Sequence, residues 1–101
     1  MSNHELNYAV SNEVLLQGDC YKNRLTIRKI ERHQGEVMQI DSMNTGIHCS
    51  GADPILFPCN LPEAFQQTGL KIIFSGFVKE LSLNELMPGQ PFVLTFIERA
   101  K

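Results

Sequence analysis

The sequence predicts a mainly β protein: a small five-stranded OB-like barrel with one short helix between strands 3 and 4. Three observations carry this expectation. Apolar residues alternate at period two along Leu70–Leu81 and again along Phe92–Arg99. Turn formers such as Gly35, Gly46 and Gly51 break the remaining chain into short runs rich in β-branched residues. One helix signal, from Asn60 to Gly69, falls late in the order strand, strand, strand, helix, strand, strand. A generic open β-barrel or a small β-sandwich is the fallback for the same pattern.

Taken in order, Met1–Asn12 is polar and aperiodic and is expected to be a flexible N-terminal arm. Residues 13–101 then form a single barrel-like domain, because 101 residues is one domain's length. Val14–Leu16 reads as a short strand closed by Gly18 and Asp19. Arg24–Arg32 carries Leu25, Ile27 and Ile30 and reads as a strand. Gly35 predicts a hairpin turn, with Glu36–Met43 as the return strand. Asn44–Gly46 predicts a second turn before Ile47–Ser50, and Gly51–Pro54 a third before Ile55–Phe57.

Asn60 is a good N-cap, and Glu63, three residues on, completes a capping box. Pro62 falls in the first turn, where its missing N–H is harmless, and Gly69 can take positive φ to end the helix. Two turns cannot hold themselves, so Leu61 and Phe65 must anchor this helix by packing. In Leu70–Leu81, Leu70, Ile72, Phe74 and Val78 share one face, and Gly76 in that row predicts a bulge, bend or close backbone approach. Leu81–Leu86 fits either a strand end or a helical turn, and Met87–Gln90 is a turn. In the last strand Phe92, Leu94 and Phe96 are expected to face one way, and Val93, Thr95 and Ile97 the other.

The run PCNLPEAFQQTGLKIIFSG, from Pro58 to Gly76, resembles the signature P-x-N-L-P-E-x-F-x-x-x-G-L-x-V-x-F-S-G of a family of small uncharacterised bacterial domains. The match covers about a fifth of the chain closely, through Pro58, Asn60, Leu61, Pro62, Glu63, Phe65, Gly69, Leu70, Phe74, Ser75 and Gly76. Ala64 and Gln66 stand where the family has acidic and basic residues. The resemblance implies a bacterial source and agrees with export or lipid anchoring, as some members show. It implies no activity, and the matching positions read as turn, cap and core residues.

Composition narrows the function classes. A 43% apolar share with 20% charged residues is that of a folded soluble domain. A net charge of −2 argues against a dedicated binder of nucleic acid or anionic membranes. The longest apolar runs, about four residues, are too short for a transmembrane helix. The N-terminus has no secretory signal pattern. Cytoplasmic and exported locations both remain open, as does the oligomeric state.

Three cysteines, Cys20, Cys49 and Cys59, rule out full internal pairing. In an exported protein Cys49–Cys59 is the shortest bridge, worth about 3 kcal/mol on the chain-entropy model, although Cys20 can pair with either. In a reducing compartment all three read as small core residues. His48, Cys49 and Cys59 have the right chemistry for zinc, but lack C-x-x-C or paired-histidine spacing, so no metal or other cofactor is expected.

No Gly-x-Ser-x-Gly, glycine-rich phosphate loop or oriented nucleophile–base pair is present, so no catalytic residue is assigned. The remaining candidate is charge. Lys22, Arg24, Arg28, Lys29 and Arg32 are five of the nine basic residues, and Arg24, Arg28 and Arg32 are expected to share a strand face. Lys22, Arg24, Arg28 and Arg32 are therefore the ligand-binding candidates. The expected function is a non-catalytic binding or accessory module for a protein or surface ligand. The alternative is single-stranded nucleic-acid binding through that basic face, for which Tyr21 is the only nearby aromatic.

Overall fold

A computed structural model describes residues 13–16, 19–41, 44–49, 55–82, 85 and 89–100. Among these residues there are six strands and one 3-10 turn: β1 (Glu13–Leu15), β2 (Thr26–Gln39), β3 (Thr45–Cys49), β4 (Leu56–Pro58), the 3-10 turn Glu63–Phe65, β5 (Lys71–Lys79) and β6 (Gln90–Arg99). The expected arm at 1–12, the turn at 51–54 and most of 83–88 lie outside the described residues.

Strands β2, β3, β4, β6 and β5 pair in that order, and β5 returns to β2, which closes a five-stranded barrel. All these pairs are antiparallel except β4–β6, which is parallel. The 3-10 turn falls between the third and fourth barrel strands. This is the OB-like order read from the sequence. The sixth strand, β1, adds to β6 outside the barrel. Among the described residues no helix is long and apolar enough to cross a membrane.

Gly35 is not a turn. The two strands expected on either side of it are one 14-residue strand, β2, in which Gly35 lies opposite Cys49 on β3 and Ile72 on β5. A side chain there would press on the Phe74 ring and Ile47. The glycine supplies space for the core, not a reversal. The chain reverses instead around Asp41 and Asn44, where the Asp41 carboxylate accepts the Asn44 backbone N–H at 2.9 Å and the Ile40 N–H donates to the Asn44 carbonyl at 2.8 Å.

The expected helix is a single 3-10 turn. Phe65 and Leu61 are buried and anchor it as expected, but the cap is different. Pro62 occupies the N-cap position, with no side-chain cap bond. Asn60 points away from the turn and onto β6. Its Nδ2 donates to the Leu94 carbonyl and its Oδ1 accepts the Leu94 N–H, both at 2.9 Å. The Cys59 N–H donates to the Phe92 carbonyl at 3.0 Å. The Asn60 side chain thus continues the parallel β4–β6 ladder for one more step. Beyond it, the Leu16 N–H donates to the Thr95 carbonyl, and β1 takes up the edge at Phe96. Asn60→Ala is expected to cost about 2–3 kcal/mol, because it strands a donor and an acceptor on β6. Chemical denaturation of the variant checks this.

The core holds the inward row of β5, with Ile72, Phe74 and Val78 buried as the alternation predicts. Phe74 meets Phe92 edge to face, with ring centres 5.6 Å apart. On β6 the alternation breaks. Ser75 lies opposite Phe96 but Gly76 opposite Leu94, so Thr95 is an inserted bulge residue. The core row therefore runs Phe92, Leu94, Ile97, and Phe96 turns to the outer face. Bulges of this kind let the five strands curve into a closed barrel.

Candidate functional site

The four basic candidates do not converge. Arg24 precedes β2 and forms a two-pronged pair with Glu85, at 2.7 and 3.1 Å. Its guanidinium also lies 4.5 Å from the Tyr21 ring centre. Its charge is spent within the fold. Lys22 lines a small groove with Leu16, Cys20, Phe77, Lys79 and Val93. Arg28 lies opposite Val78 on β5, while Arg32 lies opposite Ser75.

The expectation that Arg24, Arg28 and Arg32 share a face is corrected by two bulges. One falls between Thr26 and Arg28, the other between Ile30 and His33. Each inserts a residue and reverses the in–out alternation. The barrel's usual ligand face, its second and third strands, here comprises Thr45–Cys49 and Leu56–Pro58, which contain no lysine or arginine. The β2 cations have another physical role. Among the described residues, no strand pairs the β3-side edge of β2 before Gly35. That stretch carries Arg28, Lys29, Glu31 and Arg32 and both bulges, which is how an edge strand resists pairing with other chains.

The thiols are also rearranged. The disulfide joins Cys20 to Cys59, not Cys49 to Cys59. Cys49 faces the core, fully buried against β2, while His48 beside it is exposed. The three groups considered as a zinc set are thereby separated by strand alternation and by the bridge. Cys20 reaches Cys59 from a position where Leu16, Cys20 and Lys22 border the outer face of β5 and β6 and share a groove with Phe77 and Val93. This covers part of Phe77 on the outer face of β5. No spacing in the sequence singles out Cys20, since its pairing depends on where it lies against the barrel.

A groove of about 640 Å3 lies on the outer face where the bulges meet. The register places Leu15, Phe96 and Ser75 in one row across β1, β6 and β5. Ser75 then faces the β2 bulge, and its Oγ accepts the Arg32 N–H at 2.8 Å. Arg32 has φ 46°. Its guanidinium lies over the Phe96 ring, 4.6 Å from the centre, with Nη2 3.8 Å from Glu98. Lys29 and Glu31 form an exposed ion pair at the rim, 2.9 Å apart. Leu15 stands 83% exposed at the open end of the row. Alternation alone put Phe96 in the core, so this groove was not legible; the only signal was a polar Thr95 inside an apolar run.

Ionic pairs outline the outer surface. The Glu85 carboxyl is held below its usual range, chiefly by the Arg24 fork and then by the Ser82 N–H. Lys71 lowers Glu36, and Lys29 lowers Glu31, by the same kind of contact. Depressed carboxyls add stability above their unfolded values, and lose it as pH falls through their folded ones. Acidification below about pH 4.3 is therefore expected to cost the wild type more than Glu85→Gln. Thermal melts of both proteins from neutral to acid pH check this through a narrowing Tm difference.

The fold and this groove define the chain as a small OB-like barrel with an added edge strand. No family model matches it, and no curated protein matches it.

Proposed function

We propose that the chain is a non-catalytic binding module that docks a protein partner on its outer face, at Leu15, Arg32 and Phe96. The observation that carries this reading is the exposed Leu15 side chain, set in register beside a Phe96 ring held under Arg32. Arginine is enriched among the anchors of protein contacts, and an exposed apolar side chain beside it gains by being covered. The charges at the rim are paired with each other, so the groove offers apolar contact and little net attraction for an anion. The Cys20–Cys59 bridge suits an oxidising compartment, which agrees with the resemblance to a family with exported members.

A photo-crosslinker placed at Leu15 in the native cell tests the reading. It is expected to trap a discrete partner that the same probe at exposed Gln67 does not trap, and Arg32→Ala should reduce the yield. Equal labelling from both positions would sink it. The nucleic-acid alternative is weaker, because Arg24 is committed to Glu85 and the β3–β4 face has no cation. Titration of a labelled single strand at low salt is expected to show no binding.

A further inference from the structure

A second recess, of about 310 Å3, lies where β3 and β4 meet the segment before β2. Its walls include Tyr21, Asn44, Thr45, Phe57, Pro58 and Gln66. Tyr21 has φ 60°. A bulky side chain in that region is uncommon, and such strain gathers at ligand sites. The surroundings impose it here. Cys20, next in the chain, is tied to Cys59. The Lys22 N–H donates to the Asp19 carbonyl at 3.2 Å, and the Arg24 N–H to the Tyr21 carbonyl at 3.0 Å. Arg24, fixed by its fork with Glu85, holds one side of the ring without lining the recess. The ring is thus oriented before any ligand arrives, which reduces the ordering cost of binding.

Beside the apolar Phe57, Pro58 and Leu61, the side chains around it are polar but uncharged. No carboxylate, ammonium, guanidinium or imidazole lines the recess among the described residues. The Gln66 Nε2 is committed to the Leu61 carbonyl at 3.0 Å, leaving its Oε1 as an acceptor. The Asn44 Nδ2 is likewise committed to the Asp41 carboxylate, leaving its Oδ1. Thr45 and Tyr21 add hydroxyls that donate. An anion finds no cation here, and a purely apolar ligand would leave these groups unpaired. A sugar ring satisfies both kinds of wall, because its C–H face packs on an aromatic ring while its hydroxyls exchange hydrogen bonds.

We propose that this recess binds a neutral saccharide, with Tyr21 as the platform and Asn44, Thr45 and Gln66 as the hydrogen-bonding rim. The site is distinct from the Leu15 groove and stands or falls separately from it. The test is to titrate the full chain with neutral oligosaccharides of glucose, galactose, mannose and N-acetylglucosamine at millimolar concentration, following backbone amide chemical shifts. Saturable shifts at Tyr21, Asn44, Thr45 and Gln66 are expected, with an affinity that does not change with salt. Tyr21→Ala is expected to weaken binding by about tenfold or more. Thr45→Val, which exchanges the hydroxyl for a methyl and keeps a strand-forming side chain, should weaken it several-fold with the fold intact. No shift at these amides with any of the four sugars overturns the proposal. So does a proline-rich peptide that moves them when the sugars do not.

Discussion

Gly76→Val is expected to prevent the barrel from folding. Gly76 sits on the inward row of β5, between Ile30 on β2 and Leu94 on β6. A Cβ there would collide with the Val93 carbonyl oxygen and the Phe92 ring. The first obstacle is backbone, so no rotamer change relieves it. Moving that carbonyl means breaking the β5–β6 ladder beside the Thr95 bulge. Even Gly76→Ala should cost about 3 kcal/mol or more, at or beyond the upper end of ordinary overpacking. The branched residue takes a larger share of the roughly 5–15 kcal/mol that holds a domain together. Gly69→Ala is the control. Gly69 has φ +93° but nothing within 4 Å of a new Cβ, so only conformational strain of about 1–2 kcal/mol is expected. Circular dichroism melts separate the two cases, and a Gly76→Val protein that melts like wild type would refute the close-approach account.

Loss of the Cys20–Cys59 bridge is expected to have the next largest effect. The bond spans 39 residues. On the chain-entropy model a loop of that size is worth about 4 kcal/mol. In a domain of this length that corresponds to a drop in Tm of roughly 15–30 °C. The Cys20→Ser, Cys59→Ser double variant should show this loss, and reductant should reproduce it in the wild type. Alkylation of the denatured, unreduced protein should label Cys49 alone. Labelling of Cys20 or Cys59 without reductant would contradict the pairing.

Which parts of this molecule could be read from the sequence follows from how local each signal is. The inward row of β5 and the anchoring roles of Leu61 and Phe65 were legible, since alternation and a short apolar turn depend on near neighbours. So was the place of the short helical turn in the strand order. Gly35 was misread because a glycine that makes room for Phe74 looks, in sequence, like one that makes a turn. Asn60 was misread because cap geometry near Pro62 and strand pairing to Leu94 call for the same side chain. The β2 and β6 bulges were invisible, and each one shifted a whole face. That is why the basic residues looked clustered, and why Phe96 and Leu15 did not look like a site. The Tyr21 recess needs a turn, two strands and a disulfide to meet, and no sequence spacing reports that.

The long β2 strand also bears on how fast the chain can fold. It closes the barrel against β5 through contacts far apart in sequence, 43 residues for Arg32–Ser75 and 53 for Thr26–Lys79. Closing such loops is entropically slow, and barrels dominated by distant pairings fold in milliseconds to seconds. The bridge ties Cys20, ahead of β2, to Cys59, just after β4, so an oxidised chain begins its search with part of that distance already spanned. Refolding should therefore be faster before reduction than after it, and the bond sets the rate at which the barrel closes as well as the temperature at which it opens.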